Sequence, residues 1–552
     1  MSLKSDLPTA RSGSPLHWSG DVYDDLGIAL LVAALILVGL LFGDYGITHD
    51  EAVQNEYGRM ILAYYTSFFQ DRSALEYLDL FHYGGFFDLL AAIANEVSPL
   101  GVFETRHLLG GVLGVVGLAG VWRLGRLLGG ERAGVLALVL LALTPPFWGH
   151  MFNNPKDAPF ASAMLWALYY LCRLVQELPM PSRSARIGFG IALGVAMGIR
   201  AGALLMLFYL GLGLGLRLLG LYIRLKSLSL LWRESLVMLR SILMPLALAY
   251  AVMAVLWPWS YQDFLNPLRA LLGFSTLGIG IKTNMGGQVY TADHLPASYI
   301  PGYLVATLPE IVLAGLAVGA VMFLFWLKDR RHGVPFPQGS MNLFLTALTA
   351  LFPLFMFVLM RPTAYNGLRH FLFVVPPLVV LAAFALDRVW ESLWRFHHWF
   401  GRGFTVILMG LMVVLAWQMA MLHPHQYIFY NQLVGGVAGA EGKWEMDYWS
   451  NSLREATLAL ADYVDNEQAE LGGENKIWKV AVCGHALSAY YYFSPQLVYT
   501  KRLEEADFMI TYTVEDCHKK SEGRTIAKIQ RFGVPLALVR DRRYLSIHGE
   551  GR

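Results

Sequence analysis

Two acids stand side by side in the segment THDEAVQNEYG, Asp50 and Glu51, directly after an apolar run from Leu26 to Phe42. A carboxylate held at a membrane surface can take the proton of a hydroxyl when its surroundings keep it ionised or tune its pKa. Further on, NNPKDAPF places Asn153, Asn154, Lys156 and Asp157 between two apolar runs, and RPTAYNGLRH brings Arg361, Tyr365, Asn366, Arg369 and His370 to the edge of another. Ammonium, guanidinium and imidazole groups suit an anionic lipid head group or a phosphate. The three segments therefore read as a base beside an anion site, the equipment for activating a hydroxyl next to a bound phosphate.

Each segment also has a plainer reading. Asp50 and Glu51 could be a solvated pair flanking a helix, Lys156 could simply pair with Asp157, and the arginines could snorkel at a span boundary. Asp50 and Asp157 are also candidates to hold a divalent cation, although no metal cage is visible in the spacing. What favours chemistry is company. Asp50 is followed by Glu56, Tyr57 and Arg59, and the neighbouring FHYGGFFDLL, with His82, Tyr83 and Asp88, looks like a surface-lying or re-entrant segment.

The elements that must position these residues follow from composition. The 552 residues are 56% hydrophobic and 15% charged, with mean hydropathy +0.46, which is far from a soluble domain. The chain reads as a polytopic α-helical membrane protein of about eleven spans, near 26–43, 106–122, 133–148, 158–175, 187–200, 201–217, 241–257, 303–327, 341–360, 371–389 and 404–421. Basic residues gather after every even-numbered span: Arg123, Arg126 and Arg132; Arg183 and Arg186; Arg217 to Arg240; Lys328, Arg330 and Arg331; Arg388, Arg395 and Arg402. By the positive-inside rule these loops face the cytoplasm. Asp50, Asp157, the long 257–303 segment, Arg369 and the tail then share the opposite face. The domain expectation is a cytoplasmic segment over 1–25, a transmembrane catalytic domain over 26–422 and a small extracytoplasmic α/β domain over 423–552.

In that tail DYWSNSLREATLALADYV has the period of an amphipathic helix, and KIWKVAVCG, ADFMITYTV and PLALVRDRR read as short strands. Its charges, Asp462, His485 and Asp516 among them, show no recognisable catalytic arrangement. Cys483 and Cys517 both fall there, where an oxidising compartment would permit a bond; Cys172 lies in a span and reads as a small buried hydrophobe. A net charge of +2 leaves no polybasic surface for nucleic acid, and the absence of a P-loop or dinucleotide fingerprint argues against an ATP-driven pump. Lys282, Asn284, Tyr290, Asp293 and His294, in IKTNMGGQVYTADHLP, lie where a loop could cover the site.

Taken in order, ITHDEAVQNEYG, NNPKDAPF, YNGLRHFLFVVPPL and HPHQYIFYNQLVGG leading to DYWSNSLREA resemble bacterial members of the GT-C superfamily of integral-membrane glycosyltransferases. The nearest branch is that of the protein O-mannosyltransferases and aminoarabinose transferases. The resemblance implies a GT-C-like fold in a bacterial inner membrane and transfer of a monosaccharide from a polyprenyl-phosphate-linked donor to an extracytoplasmic acceptor, with inversion. The acceptor would be a protein, a lipid or an envelope glycan, and no nucleic acid would be involved. It makes Asp50 the expected base, Glu51 its support and Asp157 a second acidic position. Arg369 and His370 are expected to clamp the donor phosphate, with Lys156 added on physical grounds, and Asn154, Tyr365 and Asn366 are candidate substrate contacts. Some relatives use a divalent cation, so a metal remains a possible cofactor. Two other classes are open to such a sequence: a secondary transporter or lipid flippase, which would carry its polar groups near the bilayer midplane, and a noncatalytic envelope assembly factor acting through its tail.

Overall fold

The computed structural model describes residues 22–274, 280–330, 339–470 and 476–547. Residues 1–21 of the expected N-terminal segment, and Arg331 of one basic exit, lie outside the described residues. The apolar runs become helices because hydrocarbon offers no partner for a free N–H or C=O. They are α1 (Val22–Leu41), α4 (Val102–Gly129), α5 (Glu131–Ala142), α6 (Pro145–Asn153), α7 (Asp157–Gln176), α8 (Arg183–Met197), α9 (Leu205–Leu225), α10 (Leu228–Leu256), α13 (Glu310–Arg330), α14 (Ser340–Met360), α15 (Val375–Phe396) and α16 (His398–Leu422). Between them, α2 (His49–Thr66) and α3 (Phe86–Asn95) follow α1, and α11 (Asn266–Phe274), the hairpin β1 (Lys282–Met285) and β2 (Gln288–Thr291), and α12 (Tyr299–Thr307) follow α10.

Among the described residues nine helices are long and apolar enough to cross a membrane, ten if α5 and α6, bent by 64°, make one span. The expectation of about eleven differs from that number chiefly at 187–200, where the helix is shorter than a full span. The bend follows from Pro145 and Pro146, which open α6 and cannot continue α5. The expected span at 187–200 forms α8, whose 15 residues reach only about 22 Å at 1.5 Å each. It lies antiparallel to α7: Ser182 N donates to Glu177 Oε2 at one end, and Arg200 pairs with Asp157 at the other. α7 and α15 occupy the centre of the bundle, while α1, α9, α10, α13 and α16 stand at its periphery.

After α16 the chain does not leave the membrane part at once. Tyr427, Ile428, Phe429, Tyr430, Tyr448 and Trp449 are buried in the same core as the spanning helices, with the short helix α17 (Gly436–Ala440) among them. A second core then begins at Leu453. It joins α18 (Ser452–Glu470), through Leu453, Ala456, Leu460 and Val464, to a five-stranded mixed sheet, through Val480, Ile510 and Val539. The strands are β3 (Trp478–Cys483), β4 (Leu497–Tyr499), β5 (Phe508–Tyr512), β6 (Arg524–Arg531) and β7 (Val534–Asp541), in the order β4-β3-β5-β7-β6, with β3 parallel to both its neighbours and β7 antiparallel to β5 and β6. Cys483 and Cys517 are bonded, with Cα atoms 5.9 Å apart, and Cys172 is buried in α7.

Candidate active site

The N-terminus of α2 is fixed before any substrate is considered. Thr48 and Glu51 form a reciprocal capping box, in which Glu51 Oε2 accepts from Thr48 N at 2.8 Å. The other Glu51 oxygen lies 3.0 Å from His107 Nε2 of α4, and both side chains are buried. Thr48 also donates to the Asn153 carbonyl. Glu51 is therefore occupied in holding the helix start, whereas its neighbour is only half-buried. The Asp50 side chain is 35% accessible, and its Oδ2 accepts from Arg369 Nη1 at 2.7 Å. Burial by itself would push the Asp50 carboxyl up, but Arg369, with Lys156 and His49, holds it below the ordinary carboxylate value. At neutral pH it is ionised.

Arg369 is placed by a tight reversal, in which Asn366 and Gly367 both adopt left-handed backbone, φ 56° and 68°. Its guanidinium lies between two aromatic faces, Tyr365 at 4.6 Å and Trp449 at 4.9 Å. His370 meets the Tyr365 ring edge-on at 4.7 Å. Asn366 faces a cavity of about 20 Å3 shared with His150, Tyr303, Tyr427 and Tyr448. Arg361, by contrast, is an exposed residue at the end of α14.

The NPKD segment supplies the opposite wall. Asn154 accepts from Asp157 N at 2.8 Å and donates to Asp157 Oδ2 at 3.0 Å, so its amide is engaged in shaping the start of α7. Asp157 pairs with Arg200, not with its neighbour Lys156. Lys156 is 5% exposed, its Nζ sits 4.0 Å above the centre of the Tyr83 ring, and it has no hydrogen-bond partner among the described residues. Burial pushes its pKa down to about 8, against the pull of Asp88, Asp50 and Asp157. Tyr83 is delivered by a backbone seam: Gly84 N donates to the Ile199 carbonyl, Gly85 N to that of Leu256 and Phe86 N to that of Gly198. A Cβ at Gly84 would lie 2.0 Å from the Gly198 carbonyl oxygen, so only glycine fits.

Among the described residues the charges of this region are thus matched one to one, with one exception. Arg369 holds Asp50, Arg200 holds Asp157, and Arg106 holds Asp88 in a fully buried pair at 2.7 Å. Lys156 is left with its ammonium free, flanked by aromatic rings. Among the described residues no group of three or more His, Cys, Asp or Glu side chains could hold a metal ion, and the two metal candidates, Asp50 and Asp157, are each taken by an arginine.

Sequence reasoning passed over Arg106, His107, Arg200 and Trp449. An arginine splitting the apolar stretch 187–217 was the available signal for Arg200, since an ionisable residue among spans has to find a partner. The sheet domain also reaches the site: the His485 ring lies 4.9 Å from that of His49, the residue before Asp50. Burial and the proximity of His49 push His485 down to about 4.

The family model of the dolichyl-phosphate-mannose-protein mannosyltransferases (PMT_2) matches residues 106–261, from Arg106 through the NPKD segment and Arg200 to just past the end of α10. Residues 106–261 are thus similar to a glycosyltransferase family over that stretch. The match takes in rather more than a quarter of the chain and leaves Asp50 and Arg369 outside it. No curated protein matches the chain. Among solved structures, ArnT from Cupriavidus metallidurans bound to undecaprenyl phosphate is 16% identical, with 94% of this chain and 98% of that chain covered and a TM-score of 0.45. The oligosaccharyltransferase AglB from Archaeoglobus fulgidus, in complex with an inhibitory peptide and a dolichol-phosphate, is 13% identical, with 89% and 70% covered and a TM-score of 0.44. The chain is a polytopic helical membrane protein with a small mixed-sheet domain.

Proposed function

We propose that this glycosyltransferase moves a monosaccharide from a polyprenyl-phosphate donor to a hydroxyl of an acceptor, with inversion at the anomeric carbon. The observation that carries the reading is the contrast between Asp50, ionised and one-third accessible, and Lys156, a buried ammonium with no hydrogen-bond partner among the described residues. The first can receive a proton and the second can receive a phosphate. The acceptor oxygen attacks the anomeric carbon, the bond from that carbon to the phosphate oxygen breaks, and the phosphate leaves with the bonding electrons. Asp50 takes the acceptor proton. Lys156 neutralises the charge that develops on the leaving phosphate, in a water-poor setting where such a contact is strong.

The remaining groups act by position. Glu51 and His107 hold the α2 start, Arg200 orients Asp157, and the aromatic faces of Tyr365 and Trp449 keep Arg369 against Asp50. Arg369 and His370 border the donor phosphate, and Asp157, Asn154, Tyr365 and Asn366 shape the substrate pocket. The donor class is supported by the description of the matching family, whose sugar rides on dolichyl phosphate. The basic loops face the cytoplasm, so the site and the sheet domain lie on the other side of a bacterial inner membrane. The acceptor is a protein, a lipid or an envelope glycan on that side.

The test is mass spectrometry of lipid-linked sugars and envelope glycans in cells with and without the protein, followed by transfer assays on purified enzyme in lipid. One polyprenyl phosphate sugar should accumulate in the deleted cells, and the purified enzyme should consume it. Unchanged pools of every lipid-linked sugar would sink the reading.

A further inference from the structure

Four groups from four separate segments form an unbroken line of hydrogen bonds that ends on the Arg369 turn. Glu445, on the linker between α17 and α18, accepts at Oε1 from the Thr283 hydroxyl at 2.9 Å and from Asn284 N at 2.6 Å. The Thr283 oxygen lies 2.7 Å from the Tyr299 hydroxyl, and that hydroxyl accepts from Gly367 N at 3.1 Å. Thr283 and Tyr299 are buried, 2% and 0% exposed, and Gly367 is buried too.

The direction of this line is fixed by counting protons. A hydroxyl has one to give. Oε1 of Glu445 already accepts from Asn284 N, so it is the acceptor end of the line, and Thr283 gives its proton to Glu445 and takes that of Tyr299. Tyr299, having given its proton away, has only lone pairs left for the Gly367 N–H. All four groups are satisfied in one polarity alone, and aligned bonds of this kind strengthen one another.

Its end-point matters. Gly367 is the second residue of the left-handed pair that reverses the chain, and Arg369, which holds Asp50, lies two residues beyond. The hairpin is tied to the same linker by Gly287 N to the Lys443 carbonyl and by Asn284 Nδ2 to that of Gly442, and to the turn segment by Ala364 N to the Ala292 carbonyl. The loop that sequence reasoning marked as a possible cover is thus braced to the site from below.

We infer that Glu445, Thr283 and Tyr299 are positioning residues for transfer: their hydrogen-bond line sets the Gly367 turn and thereby holds Arg369 against Asp50, linking the hairpin and the linker to the base. The inference rests on the reading that Arg369 and Asp50 act in transfer.

The test uses full-length enzyme in lipid with the donor and acceptor found by the assays above. Tyr299→Phe keeps the ring and removes the hydroxyl, leaving Gly367 N–H without its acceptor. Turnover should fall about tenfold, the scale of one buried hydrogen bond, with the acceptor KM unchanged. Thr283→Val should do the same and Thr283→Ser should restore activity. Tyr290→Phe, which removes a bond to Gln288 inside the hairpin, should keep turnover. The deciding measurement is a double-mutant comparison, because residues acting through one another are not additive: Tyr299→Phe should add nothing further in an Arg369→Ala enzyme. Full additivity there, or normal turnover by Tyr299→Phe while Arg369→Ala is impaired, would overturn the inference. Normal turnover by Arg369→Ala and Asp50→Asn would instead overturn the reading on which it stands.

Discussion

Arg369 and Asp50 are 319 residues apart in the chain and 2.7 Å apart in the fold. The contact brings the turn before α15 onto the start of α2, and Trp449 from the linker closes over the guanidinium. It keeps Asp50 ionised while leaving a third of its side chain open. On the proposed reading, a carboxylate in this state would receive a proton only as the acceptor oxygen loses it, which suits a donor that is already activated as a phosphate ester. Arg369 also fixes the carboxylate's direction, and much of catalysis is orientation.

Asp50→Asn should therefore lower transfer by roughly a hundred- to ten-thousand-fold, the usual worth of a positioned base. The amide preserves size and can still meet Arg369 through its oxygen, so folding and donor binding should persist. Single-turnover transfer and donor binding on thermally checked protein would separate the two effects. Near-normal transfer by the well-folded variant would remove Asp50 from the role.

Lys156 gives the pH dependence of donor binding a definite sign. Burial has pushed its pKa down to about 8, so the ammonium is present at neutral pH and is lost as pH rises through that value. Affinity for polyprenyl phosphate should be level below about pH 7.5 and decline above pH 8. Lys156→Ala should bind weakly at every pH, and Lys156→Arg, whose guanidinium stays charged, should lose the decline. Titration of binding from pH 6.5 to 9.5 would show it; a wild-type curve that stays level to pH 9.5 would take Lys156 away from the phosphate.

The basic exits predict sidedness. Cysteines introduced next to Asp50, beside Asp157 and in the sheet domain should react with an impermeant reagent from the extracytoplasmic side, and cysteines beside Arg126 and Arg395 should not. Asp50 and Asp157 both lie near Arg369, so opposite labelling of their two loops would contradict the fold itself.

How much of this was legible beforehand follows from the kind of signal each residue leaves. Asp50, Lys156, Asp157 and Arg369 sit in polar islands between apolar runs, where charge stands out. Arg106 and His107 begin a span and Arg200 interrupts one, so they read as boundary residues, yet each turns out to hold a carboxylate of the site. The capping pair Thr48 and Glu51 was in plain view as a Thr-x-x-Glu spacing, and it explains why the two adjacent acids have different fates. Strand β6, RTIAKIQR, was missed because its outer face is charged, and it is recognisable only from its pairing with β7. The double proline at 145 and 146 signalled the break that a hydropathy window over 133–148 smooths away. Trp449 left no local signal at all, since its role depends on a linker folding back into the membrane core.

The attachment of the sheet domain should be acid-sensitive. Glu455 of α18 faces Arg531 of β6 and His425 of the linker, and Arg531 also donates to the His423 carbonyl, by Nε at 3.0 Å and by Nη2 at 2.6 Å. Burial alone would raise the Glu455 carboxyl, but His425 and Arg531 outweigh it and hold it down to about 2. A carboxyl whose pKa is lower folded than unfolded contributes stability above its unfolded value, near 4.3, and that contribution is lost as pH falls toward the folded value. The wild-type domain should hence loosen between about pH 4.5 and 2, through this group, while Glu455→Gln should already be weakened at pH 7 and change less on acidification. Because the Arg531 bonds to the His423 carbonyl do not titrate, the domain should loosen from the linker rather than detach. Hydrogen exchange over 423–431 and thermal unfolding of both proteins from pH 7 to 3 would measure it. The stability gap between them should narrow as pH falls, and a gap that stays constant would mean that Glu455 does not carry the contact.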